Sequence, residues 1–229
     1  MTSGILRTTL SNRFSSSHNS QLLNQTYVDL VFGVTGQEIN REHGYQLYAA
    51  LSSYKPLLHY LEGISIQLIN GSPIQKNIIR LTKQSRLRMR LPNDQISNFY
   101  SLAGKVFSIG SQEIRLGIPQ IHPLEAAQNL YSPIVVIRGY QEPSSFLEAA
   151  YRQLQKLDIE ARINLLTNSN SEPSRRTMRV KQFTLIGFGL EVTNLCEQDS
   201  LLLQVHGLGG KQKMGCGFFT PQLNTIGNR

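Results

Sequence analysis

Acidic residues are scarce in this chain: 15 Asp and Glu stand against 23 Lys and Arg, a formal net charge of +8 over 229 residues. The acids are scattered, with no DxD or ExxE pair, so the clustered carboxylates of a metal-dependent nuclease are missing. Cysteine is scarce too. Cys196 and Cys216 form no CxxC pair and cannot build a structural zinc site by themselves. Both read as small buried apolar residues, since a disulfide is out of place in a reducing compartment. No apolar run approaches the roughly eighteen residues of a spanning helix. The N-terminus lacks the apolar core of a signal peptide, so the expectation is a cytoplasmic chain with no membrane partner. What the chain does have is a 40% hydrophobic fraction, enough for one large domain or two small ones. The surplus of positive charge favours a polyanionic partner, nucleic acid or an anionic surface.

The order of elements is legible. Residues 1–25, rich in Ser, Asn and Gln and including His18, read as a flexible leader. YVDLVFGV (27–34) has strand length and composition. In 40–54, Gly44, Leu47, Tyr48 and Leu51 fall at helical spacing, with Asn40 as N-cap. GISIQLI (63–69) reads as a strand, 77–91 as a long alternating strand, 94–104 as a short helix ending at glycine, and 105–119 as a strand or hairpin. Past a linker at 122–133 the series repeats: strand 134–140, amphipathic helix 143–157, strand 160–166, two strands or one bent hairpin over 175–192, helix 197–206 and strand 216–220. Strand, helix, strand, strand, helix, strand is the split βαβ order of a ferredoxin-like fold. The expected architecture is therefore α+β, two tandem ferredoxin-like domains at 26–121 and 134–229, the second carrying a glycine-rich loop at 207–217.

Positive charge collects in two places. Lys76, Arg80, Lys83, Arg86, Arg88 and Arg90 follow one another with no acid between them. Strand alternation puts Arg86, Arg88 and Arg90 on one face and Leu87, Met89 and Leu91 on the other. Like charges stacked this closely need something negative, and a phosphate backbone that Arg can bind bidentately is a natural partner. The alternative is a basic edge that guards a sheet against aggregation. Arg175, Arg176, Arg179 and Lys181 form the second cluster.

HGLGGKQKMGCGFF, from His206 to Phe219, holds five glycines and two lysines. It lacks the GK[ST] ending of a P-loop, and its glycines end a helix where a dinucleotide fingerprint would open one. Gly207, Gly209, Gly210, Gly215 and Gly217 can let the backbone approach a phosphate while Lys211 and Lys213 neutralise charge. A tight structural turn is the competing reading. At a helix C-terminus His206 is favoured as a cation and suits phosphate contact or capping.

GLGGKQKMGCG together with EHGYQLYAALS resembles the CRISPR repeat-processing endoribonucleases of the RAMP superfamily, the sixth Cas protein family, over roughly residues 27–220. The branch it looks like is found in some type I and transposon-linked systems. The resemblance implies a cytoplasmic enzyme with no metal and no cofactor. It would cut precursor CRISPR RNA within each repeat by attack of a ribose 2′-hydroxyl on the adjacent phosphate. The products would carry a 2′,3′-cyclic phosphate and a 5′-hydroxyl. It further implies a repeat hairpin as partner, held through its backbone by the basic strands and the glycine loop, and other Cascade subunits around the retained guide.

The same resemblance places the acid/base histidine on or near the first helix, which points to His43. The helix dipole there disfavours protonation and suits a neutral base. His59, just beyond the helix, is the second candidate. Tyr45 is placed to contact the scissile phosphate, Tyr27 is a further possibility, and Tyr48 shares the apolar face and reads as core. Two readings stand beside the enzyme: a RAMP subunit that binds RNA without cutting, and a generic ferredoxin-like RNA-binding module. The basic strand has no aromatic residues interleaved for base stacking, which counts against the module.

Overall fold

The computed structural model describes residues 26–75 and 77–221. The leader with His18, and Lys76, lie outside the described residues. The first half opens with β1 (Tyr27–Gly36), a short β2 (Glu38–Asn40), and helices α1 (Gly44–Tyr54) and α2 (Leu57–Tyr60). Then come β3 (Ser65–Gln67), β4 (Ser72–Gln75), β5 (Ile78–Arg80), β6 (Arg86–Pro92), α3 (Ile96–Tyr100) and the hairpin β7 (Val106–Ile109) and β8 (Gln112–Pro123). β9 (Leu130–Val135), α4 (Pro143–Lys156), β10 (Arg162–Leu165), β11 (Arg175–Val180), β12 (Phe183–Thr193), α5 (Glu197–His206) and β13 (Thr220–Pro221) make the second half.

Each half carries a sheet with the ferredoxin-like strand order. The first runs β3-β6-β1-β8-β7 and the second β10-β12-β9-β13, with β11 folded back on β12. In both, the third principal strand sits between the first two that a helix connects, so every neighbour is antiparallel. β2, β5 and β4 form a small third sheet that the sequence pattern did not suggest.

Period-two alternation decides which side of each strand is buried. Leu30 and Phe32 of β1 pack with Leu87, Met89 and Leu91 of β6, all at 0% exposure, beneath Leu47 and Leu51 of α1 and Phe99 of α3. A second core gathers Phe146, Ala150 and Leu154 of α4 against Phe188, Leu190 and Val192 of β12. Spacing of i, i+4 and i+8 gives α4 one apolar stripe, and Pro143 pre-sets its first turn.

Several boundaries differ from expectation for local reasons. The segment 77–91 is two strands, because Thr82 to Ser85 close a turn in which Ser85 N donates to Thr82 O. α1 starts at Gly44, since Asn40 caps a turn outside the helix by accepting from Glu42 N. The first strand of the second half lies at Leu130–Val135, paired with β12 and β13, and continues only as a bridge from Val136 to Gly210. Cys216 is fully buried, with its thiol pushed up to about 12 by desolvation. Cys196 instead is exposed and caps α5, its sulfur accepting from Asp199 N at 3.3 Å. Among the described residues no helix is long and apolar enough to cross a membrane.

Candidate active site

The halves meet along a seam built on Arg90. Arg86, Arg88 and Arg90 do share one face of β6, but the negative charge that compensates them is internal. Asp29, the one acid of β1, lies opposite Arg90 in the strand register. It accepts from Arg90 Nε at 2.8 Å, from Arg90 Nη2 at 3.1 Å and from Arg88 Nη1 at 3.0 Å. Arg90 Nη1 crosses to the second half and donates to Gln204 O and Phe219 O, both at 2.8 Å, while its guanidinium lies over the Phe218 ring. Gln204 and Phe219 bracket the glycine loop, so one side chain fastens both ends of that loop to the first sheet. Arg90 is 1% exposed and has no surface for RNA. Its assignment to RNA contact is corrected on that ground. Arg88 is half-covered, and Arg86 is exposed.

The glycine loop is mostly an internal joint. A side chain on Gly207 would strike Gly217 O, and one on Gly217 would strike Leu208 O; both glycines have positive φ. Gly207, Gly215 and Gly217 are buried, so Gly207 and Gly217 permit a close approach of the protein's own backbone, and Gly215 one of the Leu68 side chain, in place of a phosphate. Gly209 N donates to Gln153 Oε1, and Gly217 N and Gly210 N donate to Ile134 O and Val136 O, which stitches the loop to β9. Gly210 is exposed with open space around it, and Lys211 beside it is exposed. His206 is half-buried and its Nε2 has no partner among the described residues. Burial lowers its pKa, overriding the helix end that was expected to favour the cation.

His43 is likewise inside. It is 1% exposed; Nδ1 bonds Asn40 O at 2.8 Å, and Nε2 accepts from Ile69 N at 3.0 Å. Those partners fix one neutral tautomer, because a proton on Nε2 would face the Ile69 N–H. Desolvation lowers its pKa, opposed by the backbone bonds at Asn40 and Arg41. With both nitrogens engaged and no solvent access, His43 staples the start of α1 to the segment after β3. Its assignment as the base is corrected. Tyr27 is also buried, its hydroxyl filling the space beside Gly63. Tyr45 is half-buried.

His59 has the opposite surroundings. It is exposed on α2, and its Nδ1 bonds the Tyr48 hydroxyl at 2.7 Å with the rings edge-to-face. Its Nε2 makes no hydrogen bond among the described residues. Burial raises the Tyr48 pKa, which keeps the phenol protonated. Lys213, from the loop of the other half, donates from Nζ to Leu58 O at 2.8 Å and lies 3.4 Å from His59 O. Its pKa is lowered by desolvation, against the attraction of Glu62. Tyr48 and Lys213 line an open cavity of about 420 Å³ with Gly210 and Lys211. Tyr60, 81% exposed, has its ring 6.3 Å from that of His59. Tyr48 was missed as a site residue because its hydroxyl meets His59 only through the turn between α1 and α2, which helical spacing does not encode.

Arg175 and Arg176 of β11 line a separate cleft of about 380 Å³ together with Arg41 and Glu42. Thr177 Oγ1 donates to Glu42 Oε1 at 2.9 Å across it. Desolvation and the nearby Arg41 charge lower the Arg176 pKa. Arg80, Lys83, Arg179 and Lys181 are exposed on the surface. Among the described residues no three His, Cys, Asp or Glu side chains converge as a metal cage.

Comparison with known proteins gives a consistent result. The family model described as Cas6 Crispr matches residues 28–224. A CRISPR-associated endonuclease Cas6 of Myxococcus xanthus (strain DK1622) is 29% identical over 195 residues, which span 85% of this chain and 81% of that protein. A solved CRISPR-associated protein Cas6 superposes with a TM-score of 0.60 at 17% identity, covering 87% of this chain and all of that one. A structure described as a RAMP protein binding different RNA substrates also reaches 0.60, at 12% identity over 85% of this chain and 98% of its own. A Cas6-related protein of Pyrococcus furiosus reaches 0.56 at 14% identity, over 88% of this chain and all of that one. At these identities the structural likeness concerns the fold.

Proposed function

The chain belongs to the Cas6 family, and from that premise we propose that it is an endoribonuclease that cuts CRISPR repeat RNA, with His59 as its base. The observation that carries this reading is His59 itself. It is an exposed imidazole with one nitrogen oriented by Tyr48 and the other without a partner among the described residues, and a lysine from the other half reaches the backbone of the same helix. With Nδ1–H donating to the Tyr48 oxygen, Nε2 holds the lone pair that removes the 2′-hydroxyl proton. The 2′-oxygen then bonds to phosphorus, the bond from phosphorus to the 5′-oxygen breaks, and that oxygen takes a proton from water, whose hydroxide is neutralised by the proton on His59. The products are a 2′,3′-cyclic phosphate and a 5′-hydroxyl. Lys213 and Lys211 set positive charge against the phosphorane. No step needs a metal ion. Tyr60 offers a ring on which a base flanking the cut can stack.

The exposed cations Arg86, Arg175, Arg176, Arg179 and Lys181 hold the repeat hairpin through its phosphates, as the family resemblance implies. The same resemblance supports retention of the cut guide within a Cascade effector. The reaction is tested by cleavage of a labelled repeat RNA in chelator, alongside an RNA with one 2′-deoxy substitution at the cut site. Cutting in EDTA that leaves a cyclic phosphate and stops on the deoxy substrate is expected. Cutting of the deoxy RNA, or loss of cutting in EDTA, refutes the mechanism. Tight binding with no cutting leaves the inactive-subunit reading.

A further inference from the structure

The face of the first sheet that carries Arg90 continues past the seam into the open. At its far end lies a cavity of about 370 Å³ whose lining includes Gly33, Thr35, Lys83, Arg86, Arg115 and Gly117. Lys83, Arg86 and Arg115 are exposed, and among the described residues no carboxylate lines the cavity and none of the three is in an ion pair. Glu113, on the same face of β8 as Arg115, is outside the lining. Toward the seam, by contrast, the same face holds Arg88 and Arg90 neutralised by Asp29.

The cavity is shaped as well as charged. Arg86 Nη1 donates to Lys83 O at 2.7 Å and Ser85 O at 2.9 Å, and Arg115 Nη1 donates to Gly104 O at 3.2 Å. Each guanidinium is thus held by one arm, and its remaining donors make no bond among the described residues. The floor is backbone. Register shifts between Phe32 and Val34, a side chain at Gly33 would meet nothing within 4 Å, and one at Gly117 would meet only Gly33 backbone, at 3.5 Å. Two guanidiniums held in place, with the exposed Lys83 beside them, around a glycine floor suit a compact anion with several acceptors.

We propose that this cavity binds a phosphate group of the RNA backbone, outside the His59 site. The anion chemistry stands on the cavity alone; RNA as its source rests on the function proposed above. A hairpin cut at His59 would then be gripped at two places on the first half.

Two variants of the full chain separate a built site from general positive charge. Arg115→Ala removes one cation. Gly33→Val leaves the charge unchanged and fills the floor, at a position whose φ is not positive. Inorganic phosphate titrated into the ¹⁵N-labelled protein is expected to shift the Gly33 and Gly117 amides to saturation, and both variants to abolish this. Repeat-RNA affinity measured against salt is expected to lose about 0.7–0.9 of its log–log slope in each variant, the share of one phosphate. Melting temperatures identify a variant that fails to fold, in which case the other decides. Absence of saturable phosphate shifts in the wild type overturns the site. Saturable shifts with an unchanged RNA slope overturn RNA as the occupant and point to an acidic protein segment. A wild type that binds no RNA refutes the proposed function, while the phosphate titration still decides the cavity.

Discussion

The seam and the rim of the junction between the two halves use the same residue types to opposite ends. Inside, Arg90 in the seam and His43 within the first half are each 1% exposed, and their hydrogen-bonding groups are committed to the protein. At the rim, His59 Nε2 has no partner among the described residues, and Lys213 reaches across the halves at half exposure. The difference teaches that a histidine or arginine becomes chemistry only where a donor or lone pair is left over. Substitutions in the seam should therefore cost stability, and substitutions at the rim should cost turnover.

Arg90→Met should have the largest effect. It leaves the buried Asp29 with Arg88 as its remaining cation and frees both ends of the glycine loop, for a loss of about 3–5 kcal/mol in denaturant unfolding. Asp29→Leu combined with Arg90→Met should recover a good part of that loss, because the buried charge goes with its partner. A single variant of wild-type stability would break the comparison. Next in size is Lys213→Met, expected to lower single-turnover cleavage about 10²-fold while the melting temperature stays near the wild type. A large fall in melting temperature with unchanged cleavage would move Lys213 into the seam.

The pH dependence of stability comes third. The folded pKa of His43 lies below its ordinary 6.5, so the unfolded chain binds more protons than the fold below that value. Stability should fall as pH drops from 6.5, by up to about 1.4 kcal/mol per pH unit, until the folded pKa is reached. Urea titrations between pH 5 and about 7 should give a shallower fall for His43→Gln, with the remaining histidines as background. Tyr48→Phe should be smallest. It removes one hydrogen bond to the His59 ring and should slow cleavage about 3–10-fold with no loss of RNA affinity.

The fold was largely legible because its signals are local. Alternation in β6 separated the buried Leu87, Met89 and Leu91 from the three arginines, and the repeated element order implied two ferredoxin-like sheets. The partners were not legible, because they lie far along the chain. Asp29 neutralises Arg90 from 61 residues away, and Gln204 O is 114 residues away. A lone acid in an otherwise apolar first strand was the available hint. The glycines of the loop were read as sites where the backbone approaches a phosphate; what approaches Gly207 is Gly217 O, a contact that no spacing rule separates from a phosphate. His43 drew attention through its place at the helix start. Its two backbone partners, Asn40 and Ile69, are what turn that position into a staple.

The measurement that tests the account most directly is single-turnover cleavage of repeat RNA by His59→Ala and His43→Gln, each with its melting temperature and RNA affinity. The account predicts that His59→Ala loses about 10²-fold or more in rate while it folds and binds RNA as the wild type does. It predicts that His43→Gln melts lower but cuts at close to the wild-type rate per folded molecule. Full activity in His59→Ala, with His43→Gln folded and inactive, would contradict it and return the base to the first turn of α1.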